Sequence, residues 1–157
     1  MAKSINRVSR AARDAGLQIE IITLPTSART AQDAASSLDC EVGQIVKSLL
    51  FEGAQSGTLK LVLVSGAHPL DLSRAAEIFG EPLCRADPKR VRAETGFAIG
   101  GVAPLGHLCL LDTYMDDALL QYATVWAAAG APEAVFATSP AALRQATNAT
   151  LFANRPL

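Results

Sequence analysis

Behind Ser4, the apolar residues Ile5, Val8, Ala12 and Ala15 recur at helical spacing, which predicts a capped helix that stops at Gly16. Lys3, Arg7, Arg10 and Arg13 fall on its solvated side. The run from Leu17 to Leu24 carries the β-branched residues Ile19, Ile21 and Ile22 and meets Pro25, the pattern of a strand. Thr30 and Asp33 then form an acidic variant of the capping box, ahead of a small-residue helical stripe of Ala31, Ala34, Ala35 and Leu38.

The segment from Ile45 to Glu52, IVKSLLFE, is apolar apart from Lys47 and Ser48 within it and the closing Glu52, and the residues from Gly53 to Gly57 join it to a second apolar run, Leu59 to Ser65. This predicts a β-hairpin with a longer loop. Asp71 opens a helix closed by Gly80, and Asp87-Pro88 places an N-cap before a proline at the first helical position. From Gly96 the texture changes, because TGFAIGGVAPLGH holds four glycines and a proline in thirteen residues, yet the residues between them are apolar. A buried or half-buried loop is expected there, with glycine allowing close backbone approach. Strands are expected at Leu108 to Leu111 and at Ala123 to Ala129, with a turn at the acidic residues Asp112, Asp116 and Asp117. A last helix opens at Ser139-Pro140. The sum is one α/β (α+β) domain over residues 1–157, with about five helices and a mixed sheet.

Composition narrows the functional classes. Half of the 157 residues are hydrophobic and 18% are charged, which excludes a disordered chain or a coiled coil. A net charge of −1 excludes a strongly basic nucleic-acid coat or polybasic anchor, though not a local basic patch. Cys40, Cys84 and Cys109 are scattered without CxxC spacing, so neither a disulfide framework nor a zinc site is expected. No stretch approaches the ~20 apolar residues of a membrane span. The expectation is a cytoplasmic protein without metal or cofactor, and with no membrane partner.

Two features invite chemistry. Lys47 interrupts a hydrophobic strand, and it is either a lysine that alternation turns to solvent or a cation at a pocket wall able to hold a phosphate. The loop Gly100-Gly101-Val102-Ala103-Pro104 is either a tight turn or a row of N–H groups that cradles an oxyanion. Neither a Walker loop, a dinucleotide fingerprint, a GxSxG elbow nor an HExxH motif is present. His107 and Cys109 offer only a paper version of a thiol–imidazole pair.

QIVKSLLF at 44–51, TGFAIGGVAPLGH at 95–107 and TVWAAAG at 124–130 together resemble the YbaK/EbsC family of free-standing aminoacyl-tRNA deacylases, relatives of the prolyl-tRNA synthetase editing domain. The resemblance runs from the first helix to about residue 146. It implies a mixed sheet curved toward a barrel and flanked by helices, and hydrolysis of the ester that joins a wrong amino acid to a tRNA. Lys47 matches the lysine that holds the terminal nucleotide, and Gly100, with Gly101, matches the loop that receives the aminoacyl carbonyl. The implied substrate-binding residues are Leu24, Thr30, Ser48, Val102, Pro104, Ala127, Ala128, Ala129 and Val135. Gly106, His107 and Asp112 also match the family's texture.

Relatives acting on cysteinyl-tRNA carry serine and aspartate where this chain has Ala128 and Val135, a departure that favours a small apolar substrate such as alanine over cysteine, serine or threonine. The expected partners are an aminoacyl-tRNA, of proline or a related acceptor, and a synthetase that shares its recognition. The chain itself is a monomer or a homodimer. A rival reading is a non-catalytic module that binds tRNA or aminoacyl-adenosine, and another is a thiol hydrolase that uses Cys109.

Overall fold

A computed structural model of the protein describes residues 3–25 and 30–154. Its helices are α1 (Lys3–Asp14), α2 (Ala31–Leu38), α3 (Ala75–Phe79), α4 (Pro88–Thr95) and α5 (Pro140–Thr147). The strands are β1 (Ile21–Thr23), β2 (Val46–Gly53), β3 (Leu59–Ser65), β4 (Leu83–Arg85), β5 (Asp112–Asp116), β6 (Val125–Ala131), β7 (Ala134–Thr138) and β8 (Thr150–Phe152). The helix boundaries follow local chemistry. Thr30, Asp87 and Ser139 each accept a backbone N–H of the first turn, Pro88 and Pro140 occupy the first helical positions, and left-handed Gly80 and Gly96 close α3 and α4.

The strands divide into two sheets. One is antiparallel with order β1-β7-β6, and the other is mixed with order β4-β2-β3-β5-β8. The hairpin pairs Lys47 with Val64 and Ser48 with Leu63, while β5 and β8 join in parallel. Every residue of β3 is buried because both faces are covered, which explains why LKLVLVS shows no alternation. Leu61 and Leu63 enter the main core with Val8, Phe97, Met115 and Phe136, and Val62 and Val64 enter a smaller core with Phe79 and Phe152.

Several expectations need correction. The single sheet curving toward a barrel is two sheets. Among the described residues the two sheets share the main core, but the one backbone bridge between them is the isolated Ile45 to Trp126, and no hydrogen-bonded closure forms. The strand expected over Leu17 to Leu24 shrinks to β1. Leu108 to Leu111 is loop, its backbone hooked onto the end of α4 by N–H donation from Leu108 to Thr95 and from Cys109 to Glu94, with Leu108 and Leu110 exposed. Of the acidic residues read as a turn, Asp112 and Asp116 lie in strand β5 and Asp117 opens the 3-10 turn that follows it; the Asp116 carboxylate is fully buried, accepting the N–H groups of Ser65 and Ala118. Arg7 is not solvated. It donates to the carbonyls of Gly96 and Gly106 and lies 4.6 Å above the Phe97 ring, clamping both ends of the glycine loop.

A second polar anchor holds the hairpin loop. The Glu81 carboxylate accepts the Ser56 hydroxyl and the N–H groups of Ser56 and Gln55, with Lys60 at 3.8 Å. These hydrogen bonds, helped by Lys60, pull its pKa from 4.5 to about 2. A depressed carboxylate pKa stabilises the fold above the unfolded value and loses that contribution as pH falls through the folded one. Urea midpoints measured from pH 5 down to pH 2 are therefore expected to fall across that window, and Glu81→Gln is expected to flatten the fall.

Candidate active site

Strand β2 has an incomplete outer edge. β4 pairs only with Phe51, Glu52 and Gly53, and β6 meets the other end at Ile45. Over the stretch between them no described strand covers that edge, and there a cleft of about 720 Å³ opens, the size of a small-molecule site. Its walls come from β2, the start of α2, the turn after β3, the 99–102 loop, β6 and β7.

Lys47 is half-buried in this cleft. Its Nζ donates to the carbonyl of His68 at 2.9 Å, and no described carboxylate lies within ion-pair distance. Burial lowers its pKa, and the Asp116 carboxylate partly opposes that. A cation held by a carbonyl rather than a carboxylate keeps its charge for an anionic ligand. The turn that supplies the carbonyl is built from the strand below, because Asp116 fixes the Ser65 amide and the Ser65 hydroxyl donates to the Gly43 carbonyl at 2.8 Å. Gly66 follows with its N–H on the Ile45 carbonyl, and a Cβ there would collide with the Val42 carbonyl and Ala31.

The glycine loop forms the facing wall. Thr95 accepts the Phe97 N–H, His107 Nε2 meets the Ala103 carbonyl at 2.7 Å, and Arg7 ties both ends, so the loop is held from three directions. Burial lowers the pKa of His107, which favours its neutral ring. Gly100 has φ +96° and lies exposed on the cleft, with open space where a side chain would project.

The cleft brings together Lys47, Ser48, Gly100, Val102, Ala127, Ala128 and Val135, with Thr30 at its edge. The Thr30 hydroxyl is engaged in capping, accepting the Asp33 N–H at 3.0 Å. Four expected residues lie outside its lining. Gly101 is buried against β6, where an added Cβ would come 3.1 Å from Ala131 Cα. Ala129 and Pro104 are buried, Ala129 in the main core on the face of β6 opposite Ala128; Ala127 shares that buried face, and of the two only Ala127 also lines the cleft. Leu24 is buried, its N–H on the Glu133 carbonyl. Ile45, Trp126 and Ile99 line the cleft without having been singled out. For Ile99 a signal existed, an apolar residue directly before the glycine pair, and it is 57% exposed.

Cys109 is exposed on the 108–111 loop, outside the cleft, and the His107 ring is committed to Ala103 and Phe97, so these two residues form no nucleophile–base pair. The Gly101 N–H, expected as an oxyanion donor, is instead spent on the Ala98 carbonyl at 3.0 Å. The cleft thus offers a cation, the exposed loop backbone at Gly100 and small apolar walls, a set suited to holding and polarising an ester that water attacks.

The family model for the aminoacyl-tRNA editing domain matches residues 26–146. A solved structure described as "a putative trans-editing enzyme for prolyl tRNA synthetase" is 44% identical with a TM-score of 0.92, covering 100% of this chain and 99% of the other. The chain is 28% identical over 126 residues to YwhH of Bacillus subtilis (strain 168), described as uncharacterized, covering 80% of each. It is 29% identical over 120 residues, 76% of this chain and 73% of the relative, to EbsC of Enterococcus faecalis (strain ATCC 700802 / V583), described as a "putative Cys-tRNA(Pro)/Cys-tRNA(Cys) deacylase".

Proposed function

The chain belongs to the aminoacyl-tRNA editing domain family and is an aminoacyl-tRNA deacylase, and from that premise we propose that it removes a small apolar amino acid, alanine first, from a mischarged tRNA of proline or a related acceptor. Residues 1–157 act as one editing domain in the cytoplasm. A synthetase partner fits the near-neutral charge, which limits phosphate contacts of the chain's own.

The observation that carries this reading is the meeting of Lys47, the Gly100 loop and the small wall of Ala127, Ala128 and Val135 in one cleft, from segments remote in sequence. Lys47 holds the phosphate of the terminal nucleotide. The amide of Gly100 receives the ester carbonyl and stabilises the oxyanion formed when water adds to the carbonyl carbon. Collapse of that intermediate breaks the bond to the ribose oxygen, which takes up a proton, and releases the free amino acid. The neighbouring ribose hydroxyl orients the water, so no protein nucleophile is required. The alanine wall admits small side chains and excludes larger ones, the sieve needed when one methylene is worth only about 1–3 kcal/mol to a synthetase.

The test is release of amino acid from Ala-, Ser-, Thr-, Cys- and Pro-tRNA on the proline acceptor. Rapid release of alanine with Pro-tRNA spared supports the reading. Saturable binding of every member with no release would replace it with a non-catalytic binding module. Cys109→Ala is expected to retain full activity in the same assay, and loss of activity there or on thiol alkylation would favour a thiol hydrolase.

A further inference from the structure

A second cleft, of about 590 Å³, adjoins the first and shares Ser48, Leu49, Ile99, Gly100 and Val102 with it. It extends along β2 toward β4 and the start of α4, over an apolar floor that includes Phe51, Ala86 and Pro88. At the ridge between the two clefts the Ser48 hydroxyl oxygen is buried and makes no hydrogen bond to any described residue. A buried hydroxyl without a partner costs free energy unless a ligand or water supplies one.

The rim carries charge of both signs. Arg85 is exposed there, with Glu52 and Asp87 beside it. Glu52 Oε1 is engaged by Arg90 and by the Asp87 N–H, and Asp87 Oδ1 accepts the Lys89 N–H, while the other oxygen of each carboxylate engages no described residue. Carboxylate acceptors beside an apolar floor match a cytosine, whose exocyclic amine is a donor and whose ring needs an apolar face. Arg85 matches the phosphate that comes with it.

We propose that the second cleft is a nucleotide subsite for the penultimate residue of the tRNA, the cytidine that precedes the terminal adenosine. This rests on the deacylase reading above: an ester bound in the first cleft must send its polynucleotide out past a rim, and the Ser48–Gly100 ridge leads directly into a cavity of nucleotide size. The Ser48 hydroxyl bonds the sugar–phosphate link as it crosses the ridge.

The experiment compares two alanyl esters, one on adenosine 5′-phosphate and one on the dinucleotide cytidylyl-adenosine. Wild-type protein is expected to show a kcat/KM roughly tenfold higher for the dinucleotide, the gain of one base contact, and less for uridylyl-adenosine. Arg85→Glu, a change on an exposed edge strand, is expected to bring the ratio of the two esters close to one. A wild-type ratio near one, with the mononucleotide ester still hydrolysed, would overturn the subsite and leave the deacylase reading standing. An unaltered ratio in Arg85→Glu would likewise overturn the assignment of this rim. Hydrolysis of neither ester, alongside intact alanyl-tRNA, would bring down the deacylase reading and the subsite with it.

Discussion

Replacing Lys47 by alanine is expected to lower kcat/KM for a mischarged tRNA about 10- to 150-fold, the equivalent of the ~1.5–3 kcal/mol carried by a hydrogen bond to a charged group. The loss should lie chiefly in KM, because the ammonium holds the phosphate in the ground state and the transition state alike. Lys47→Arg should recover only part of the activity, since a planar fork replaces a compact charge in a half-buried position whose donor is aimed at the His68 carbonyl. Folding should be little affected, because no described carboxylate loses its ion-pair partner when the ammonium is removed. Thermal melts beside steady-state kinetics separate the two effects. A variant that melts like the parent and hydrolyses at the parent's rate would remove Lys47 from the site.

Ala128→Leu carries the second large effect. Ala128 pairs with Val135 across β6 and β7, lines the cleft and is only half-buried, so added carbon extends into the cleft rather than into the main core. A single methylene in such a pocket counts for about 1–3 kcal/mol, or roughly 10- to 200-fold, and leucine adds three carbons, so kcat/KM for the alanyl ester is expected to fall by at least that much. Larger acyl groups should lose more. Ala129→Leu forms the contrast, because its fully buried side chain sits in the main core and overpacking there costs about 1–3 kcal/mol of stability. The pair of variants thus separates pocket wall from core along one strand, read as kinetics for Ala128 and as a lowered melting temperature for Ala129.

What could be read from the sequence was what neighbouring residues decide among themselves. Thr30 with Asp33, Asp87-Pro88 and Ser139-Pro140 announce helix starts because a cap is completed within one turn, and all three do cap helices. The β2–β3 hairpin was legible because two apolar runs flank a glycine-bounded loop. Lys47 stood out for a related reason, as a charge inside hydrocarbon.

The misreadings came from distance. Arg7 looks solvated on a helical wheel, yet its partners are carbonyls 89 and 99 residues further along the chain. Asp116 belongs to an acidic run that reads as a turn, and only the parallel pairing of β5 with β3 turns it into a buried anchor for the Ser65 amide. Gly100 and Gly101 are equivalent as letters. The approach of the loop to Ala131 is what puts one in the cleft and the other in the wall behind it. The gap along β2 depends on where β4 and β6 stop, which no local pattern encodes.

The central claim is that this cleft holds the aminoacylated end of a tRNA with its phosphate on Lys47 and its acyl group on the alanine wall. A crystal structure with 3′-deoxy-3′-(L-alanylamino)adenosine 5′-phosphate, an amide that cannot be hydrolysed like the ester, tests it most directly. The expected density places the phosphate within hydrogen-bond reach of Lys47 Nζ, the amide carbonyl on the loop at Gly100 and the alanyl methyl against Ala127 and Ala128. Density for the analogue elsewhere on the protein, or in this cleft with its phosphate turned away from Lys47, would contradict it.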